Sequence, residues 1–435
     1  MPSTATQPGR SLDLLGIGFG PANLALAIAL QEQGSALRAR FLERKPEFSW
    51  HPGMLLPGAR MQVAFMKDLV SLRNPRSAYS FLNYLHEQGR LLDFLNTRTF
   101  YPSRVEFNAY LGWAAARLGE ACAYGREVVE VAPVTQGQAV ERLRVTAVTR
   151  EGREEVWHAA HLSLGLGLQP HLPEIFAGLR GTPALWHSSA YLERAAAHSG
   201  DGEGQRIAII GSGQSAAEIF LDAMERFPRA RIDLVMRGYA LKPADSSPFV
   251  NEIFNPDTTD LLYGAEPALR GQILQAHRDT NYSVADAEVI DRIYGALYDQ
   301  KVEGGDRLRI HRLQHVVEAA AQESQLRLTL RDRLTGGSEA VPYDTVILAT
   351  GYRPSQALAL LRGIEPYLLG EQPSRDYRLQ TVPGFRPRIY LQGLCEPTHG
   401  LSDTLLSVLS VRAGEIAASL QGDGDWGGAA RAAAE

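Results

Sequence analysis

Little in this 435-residue chain points to chemistry carried by cysteine, metal or membrane. Its two cysteines, Cys122 and Cys395, are too few for a disulfide framework and lack the C-x-x-C spacing of a redox pair. That argues against a dithiol reductase and fits a reducing compartment. No apolar run reaches the roughly 18 residues a membrane helix needs. The opening "MPSTATQPGRSL" lacks the apolar core of a signal peptide. A cytoplasmic protein without a membrane span is therefore expected. Lys and Arg number 44 against 49 Asp and Glu, a net charge of −5, so there is no basic footprint for nucleic acid. The 11 histidines are read as forming no metal set. A homo-oligomer stays open.

What is present is a 45% hydrophobic, 21% charged chain, as in globular proteins, with a length suggesting about two or three domains. "LLGIGFGPANLALAIAL" (14–30) reads as a buried strand, a glycine turn and a helix. Gly18 permits the bend, and Gly20 lets the backbone approach a pyrophosphate. Pro21 opens a helix whose free N–H groups face the phosphates. Asn23 stands where the fingerprint expects a third glycine, and a contact from it to the cofactor is one reading. The next strand ends in Glu43, an acid placed to bind ribose hydroxyls.

The pattern returns in "RIAIIGSGQSAAEIFLDAM" (206–224), with Gly211, Gly213, Gln214 and Ser215 in the turn. Here the following strand ends in Arg237. Where an acid would repel a 2′-phosphate, arginine can fork onto it. An acid-tipped unit and an arginine-tipped unit suggest FAD plus NADPH. The fold class expected is α/β, with two Rossmann-like dinucleotide-binding domains and a small, mostly helical substrate region. The boundaries read as a flexible arm over 1–11, an FAD-binding part over 12–180 and an NADPH-binding part over 181–242. A helical substrate-binding region follows over 243–305, then an NADPH return over 306–340, a C-terminal FAD part over 341–420 and a flexible tail over 421–435. "ILATGY" (347–352) is read as closing the flavin fold. "LSDTLLSVLSVRAGEIAASL" is read as one long helix capped by Ser402, its N-terminus aimed at the flavin.

Several long strings carry a resemblance. They are "WHPGMLLPGARMQVAFMKDLVSLRNPRSAYSFLNYLHEQGRLLDF", "KPADSSPFVNEIFNP", "DTNYSVADAEVIDRIY" and "THGLSDTLLSVLSVRAGEI". With the "GSGQSAAE" turn, they resemble the microbial N-hydroxylating flavin monooxygenases over about residues 12 to 420. Within that family the chain looks most like the L-ornithine N5-monooxygenases of siderophore biosynthesis. The resemblance implies that NADPH reduces FAD and that reduced FAD and O2 form a C4a-hydroperoxide, which NADP+ shields. The substrate's neutral amine then takes the distal oxygen. No side chain is assigned as catalytic.

It further implies that Lys67 pairs with the substrate carboxylate. Asn251 contacts the same amino-acid end, Asn281 positions the amine, and Ser407 lines the substrate pocket. Trp50, His51, Gln62 and Val128 join Gly18, Gly20, Pro21, Asn23 and Glu43 around FAD. Tyr282 joins Gly211, Gly213, Gln214, Ser215 and Arg237 around NADPH. "GTPALWHSSAY" keeps His187 and Tyr191 at the spacing of a linker found in related oxygenases, but Pro183 replaces its glycine, so a Baeyer–Villiger identity is not supported. A diamine substrate would leave Lys67 without a role. L-Lysine stays open as the N6-hydroxylation alternative, because one methylene is worth only about 1–3 kcal/mol in a pocket.

Overall fold

The apolar run Ser11–Ile17 becomes a strand with parallel neighbours on both sides, Ala39–Glu43 and the second half of Glu154–Leu164. The computed structural model describes residues 11–198, 200–354 and 357–422. The expected arm and tail lie outside these residues, except that Ser11 opens the first strand and Gln421 closes the last helix. Cys122–Tyr124 extends the sheet beyond Ala39–Glu43, and Arg388–Leu391 pairs parallel with Glu154–Leu164. That long strand has two jobs. Its first half pairs antiparallel with Ala139–Thr149, which pairs in turn with Arg126–Gln136 in a meander. Its second half is buried on both faces, as a central parallel strand must be.

A second sheet is wholly parallel. Its order is Leu308–His311, Arg231–Val235, Arg206–Ile210, Thr345–Leu348 and Leu185–His187. Two apolar clusters cover its two faces, while a larger one fills the first fold. The chain leaves the first fold through Leu168–Pro170 and returns through Tyr352–Pro354. These two segments pair antiparallel as a ribbon.

Three expectations need correction. "ILATGY" does not close the first fold: Thr345–Leu348 is a buried strand between Arg206–Ile210 and Leu185–His187. Its four residues are all buried, and the sheet of the second fold supplies apolar neighbours on either edge. Arg388–Leu391 completes the first sheet instead. The second correction concerns the last helix. It spans only Leu409–Gln421, after a 3-10 turn at Leu401–Thr404, and Ser402 is buried rather than capping. Arg412 claims the Asp403 carbonyl at 2.6 Å, which folds the 403–408 segment back and keeps it out of the helix. Third, the helical insert is shorter than expected. Helix Ala287–Val302 is the crossover between neighbouring parallel strands and buries Ile293 in the second core.

Both first glycines sit where only glycine fits. Gly18 has φ +83, and a Cβ there would come within 2.5 Å of the Gly165 carbonyl oxygen. A Cβ on Gly211 would meet the Ala349 oxygen at 2.4 Å. Helix Pro21–Glu32 then runs buried from Asn23 through Leu30 and packs against Leu409–Gln421.

Asn23 is not a cofactor contact, which corrects that reading. It is fully buried under the turn. Its amide nitrogen donates to the Gly18 carbonyl at 2.7 Å and, more weakly, to Ile17 and Ser163 carbonyls at 3.3 Å. Its amide oxygen accepts from Ser163 Oγ at 2.7 Å and Gln392 Nε2 at 2.8 Å. One side chain therefore ties the ends of three parallel strands. A third glycine would let the helix approach but could not make these bonds. We predict that Asn23→Ala lowers the unfolding free energy by about 2–3 kcal/mol, because buried partners lose their bonds. A shift in the urea midpoint worth under about 0.5 kcal/mol would show the network to be idle.

Candidate active site

The C-terminal ends of the first sheet open into a cleft shared with the second fold, where ligands bind in such sheets. The cleft holds about 1860 Å³. Ordinary small-molecule pockets run up to roughly 1,000 Å³, so there is room for more than one large ligand.

Of the residues expected around FAD, Gly18, Gly20, Pro21, Glu43, Trp50, His51, Gln62 and Val128 line this cleft, and Asn23 does not. A Cβ on Gly20 would meet nothing within 4 Å, so the backbone there is open to an approaching pyrophosphate. Helix Pro21–Glu32 has no side-chain cap, leaving its first N–H groups free for an anion. The Glu43 carboxylate accepts from the Phe19 amide at 2.8 Å and the Lys45 amide at 3.0 Å, locking the turn to the second strand. Gln392 also lines the cleft, and its Oε1 is buried without a protein partner. These features fit a flavin dinucleotide. His51 holds a left-handed backbone, φ +48, with its ring 4.9 Å from that of Trp50. Desolvation between the cleft walls, then the charges of Arg104 and Lys45, draw its pKa down to about 4.

The four expected substrate residues all line the same cleft: Lys67, Asn251, Asn281 and Ser407. They arrive from separate segments. Lys67 lies in the loops after Ala39–Glu43, Asn251 ends helix Pro248–Asn251, Asn281 follows the turn Arg278–Thr280, and Ser407 precedes the last helix. Asn251 donates to the Ser246 carbonyl at 2.9 Å. The side chains of Lys67, Asn281 and Ser407 have no hydrogen-bond or ion-pair partner among the described residues. Burial lowers the pKa of Lys67. A half-buried cation without a counter-ion, in a cleft that also holds open amide and hydroxyl groups, has the chemistry to receive a carboxylate.

The second turn stands apart. Gly211, Gly213, Gln214, Ser215, Arg237 and Tyr282 do not line the cleft. The segment 281–286 leans over this turn: a Cβ on Gly213 would lie 3.7 Å from Ser283 Cα. Arg237 is exposed beyond Arg231–Val235, its side chain unpaired among the described residues. Tyr282 donates to the Glu396 carboxylate, whose pKa burial raises. Both ends of the Gln214 side chain are engaged, with Asp286 and Glu218. In the linker, His187 meets the Gly351 carbonyl at 3.1 Å and Tyr191 donates to Asp222 at 2.6 Å. Both cysteines are buried and free, and burial pushes Cys122 up to about 12, so it holds its proton. His311 and His315 have an H-x-x-x-H spacing that the sequence reading passed over. They sit on successive strands, and among the described residues no three ligands group for a metal.

Sequence reasoning also missed the buried charges in the cleft wall. Arg412 and Asp403 line it, yet are only 2% and 1% exposed, and pair at 2.7 Å. Asp403 also accepts from the Cys395 amide at 2.6 Å, which pins the segment carrying Ser407. The available signal was an arginine on the apolar face of "LLSVLSVRAGEI", which burial obliges to find a partner. Nearby His399 is buried, with Nε2 donating to the Arg375 carbonyl at 3.1 Å and Nδ1 facing Thr398 Oγ1 at 2.8 Å.

Residues 10–354 match the family L-lysine 6-monooxygenase/L-ornithine 5-monooxygenase. The L-ornithine N(5)-monooxygenase of Pseudomonas aeruginosa is 46% identical over 424 residues, covering 97% of this chain and 96% of that protein. The solved ornithine N-hydroxylase of Kutzneria sp. 744, with reduced FAD, NADP+ and L-ornithine, superposes with a TM-score of 0.90 at 39% identity. That match covers 94% of this chain and 99% of the other. The L-lysine 6-monooxygenase of Pseudomonas syringae is less similar, with a TM-score of 0.82 and 32% identity over 94% of this chain and 99% of that one.

Two outcomes follow from the buried charges. Arg412→Ala strands Asp403 as a buried anion and should cost about 3–5 kcal/mol of stability in denaturant titration. A loss below about 1 kcal/mol would show that water replaces the pair. Burial holds the His399 pKa at about 4 in the fold, against 6.5 for a free side chain. Between those values the unfolded chain binds the extra proton, so stability falls as pH drops from 6.5 to 4, by about 1.4 kcal/mol per pH unit from this group. His399→Gln should flatten that slope by about one proton, and an unchanged slope would exclude His399 as its source.

Proposed function

The chain belongs to the L-lysine 6-monooxygenase/L-ornithine 5-monooxygenase family, and from that membership we propose that it hydroxylates the side-chain amine of L-ornithine. The reaction is L-ornithine + NADPH + H+ + O2 → N5-hydroxy-L-ornithine + NADP+ + H2O. FAD, when bound, takes hydride from NADPH and activates the oxygen. The protein's own residues bind, orient and exclude water. Gly18, Gly20 and the start of helix Pro21–Glu32 receive the FAD pyrophosphate, and Glu43 its ribose. Gly211, Gly213, Ser215 and the exposed Arg237 serve NADPH, with Arg237 meeting the 2′-phosphate.

The observation that carries the substrate assignment is Lys67, a cation without a counter-ion in the cleft. It grips the α-carboxylate, Asn251 and Ser407 hold the amino-acid end, and Asn281 orients the distal amine. Ornithine is favoured over lysine by the greater similarity to the ornithine enzymes, at 46% and 39% identity against 32%. The product is a hydroxylamine that acylation converts to a hydroxamate, the iron-binding group of hydroxamate siderophores. No helix among the described residues is long and apolar enough to cross a membrane. We place the enzyme in the cytoplasm, where NADPH is supplied.

The test runs ornithine, lysine and putrescine in parallel with the FAD-loaded protein and NADPH. Hydroxylated ornithine should form fastest. NADPH oxidation yielding peroxide alone would reject the activity, and faster turnover of lysine would reject only the substrate. Lys67→Ala should raise the KM for ornithine by about 10- to 100-fold, the worth of a charge-assisted contact, while NADPH oxidation continues. An unchanged KM would remove Lys67 from substrate binding.

A further inference from the structure

Gln62 and Gln214 belong to different folds but share one carboxylate. Gln62 Nε2 donates to Asp286 Oδ1 at 3.2 Å, and Gln214 Nε2 donates to Asp286 Oδ2 at 2.9 Å. The Asp286 amide returns a bond to Gln214 Oε1 at 2.7 Å. Gln214 is the first residue of the helix leaving the second glycine turn. Its Nε2 also reaches Glu218 at 2.8 Å, and both oxygens of Glu218 are held by Arg104 of the first fold, at 2.8 Å each. The chain of bonds thus starts on the first fold at Arg104, crosses the second, and returns to the first at Gln62.

Two features mark Asp286 as the centre of this loop. It occupies the N-cap position of helix Ala287–Val302, where aspartate ordinarily accepts a helix N–H, yet its side chain makes no cap bond. The carboxylate is turned instead to the two glutamines. Asp286 also lacks a cationic partner among the described residues, although it lines the cleft. Its two oxygens are therefore spent on fixing the amides of Gln62 and Gln214. Segment 281–286, which it terminates, carries Asn281 and lies over Gly213.

We propose that Asp286 is a positioning residue that sets Gln62 in register with the second dinucleotide turn, and so governs how much of the NADPH consumed ends in hydroxylated amine. The inference rests on the function proposed above. With the latch intact, the Gln62 amide is fixed at the cleft wall and the cover over the second turn stays closed to water. Without it, Gln62 rotates freely and the cover loosens. The same reductant and oxygen are then diverted by NADPH + H+ + O2 → NADP+ + H2O2, which balances without the amine.

The experiment uses the full-length FAD-loaded protein with saturating ornithine and measures hydroxylated ornithine and peroxide per NADPH oxidised. Asp286→Asn keeps the shape but turns one acceptor into a donor facing a donor. Its yield of hydroxylated product should fall about three- to tenfold, the loss of one charge-assisted hydrogen bond, with peroxide making up the balance. The rate of NADPH oxidation and the melting temperature should stay near those of the parent. Asp286→Ser keeps a favourable residue at the N-cap position but is too short and uncharged to hold both glutamines, and should show the same fall. Gln62→Leu added to Asp286→Asn should lower the yield no further, because the carboxylate acts through that amide. Unchanged yield, or additive losses in the double variant, would overturn the proposal. So would loss of FAD or of folding in both Asp286 variants, which would make the residue purely structural. If the parent itself makes no hydroxylated ornithine, the functional reading fails instead.

Discussion

The first fold hangs on a single buried amide. Five parallel strands must end at one level for their exits to form a crevice. Backbone pairing fixes their register but not the loops that follow. Asn23 supplies that second constraint by taking the Gly18 carbonyl, Ser163 and Gln392 together. Gly18, Gly165, Gln392 and Gly393, which line the cleft, lie at or within a few residues of these contacts. Because Asn23 is fully enclosed, its bonds are made in a medium where leaving them unmade is costly. The glycine fingerprint is thus modified rather than damaged: close helix packing is exchanged for a polar staple.

Charge is used in two different ways in the cleft. Among its lining residues, Arg412–Asp403 and Arg104–Glu218 are closed, well-bonded pairs that position backbone and helices. Lys67 is left open. Buried pairs contribute little net stability over apolar packing but are costly to break, which suits them to holding geometry. An open cation is costly until a ligand arrives. The closed pairs thus serve the scaffold, while Lys67 keeps its charge available to the cleft.

Much of this was legible in sequence, and the gaps have physical causes. The two glycine turns, Glu43 and the cleft positions of Lys67, Asn251, Asn281 and Ser407 are local or carried by distinctive strings. The strand Thr345–Leu348 was misassigned because a short buried apolar run fits either parallel sheet, and only its neighbours decide. The last helix was drawn too long because the apolar pattern continues through 401–408, while the buried Arg412–Asp403 pair that bends this segment is invisible to periodicity. Asn23 was counted as a cofactor contact because its partners lie up to 369 residues away. Gln62 and Gln214 stand in distinctive strings, but nothing in their spacing shows that Asp286 joins them.

The ribbon formed by Leu168–Pro170 and Tyr352–Pro354 fixes an order of events during synthesis. Everything needed to close the second sheet has been synthesised once Leu348 is made. The first sheet must wait for Arg388–Leu391, although its opening strand was made first. The inner unit can therefore mature while the outer one still exposes an unpaired strand edge beside the flavin crevice. Such late, long-range closure is slow and leaves an aggregation-prone edge in the interval. The nesting that gives the enzyme a shared cleft thus also sets the stage at which the nascent chain is most vulnerable.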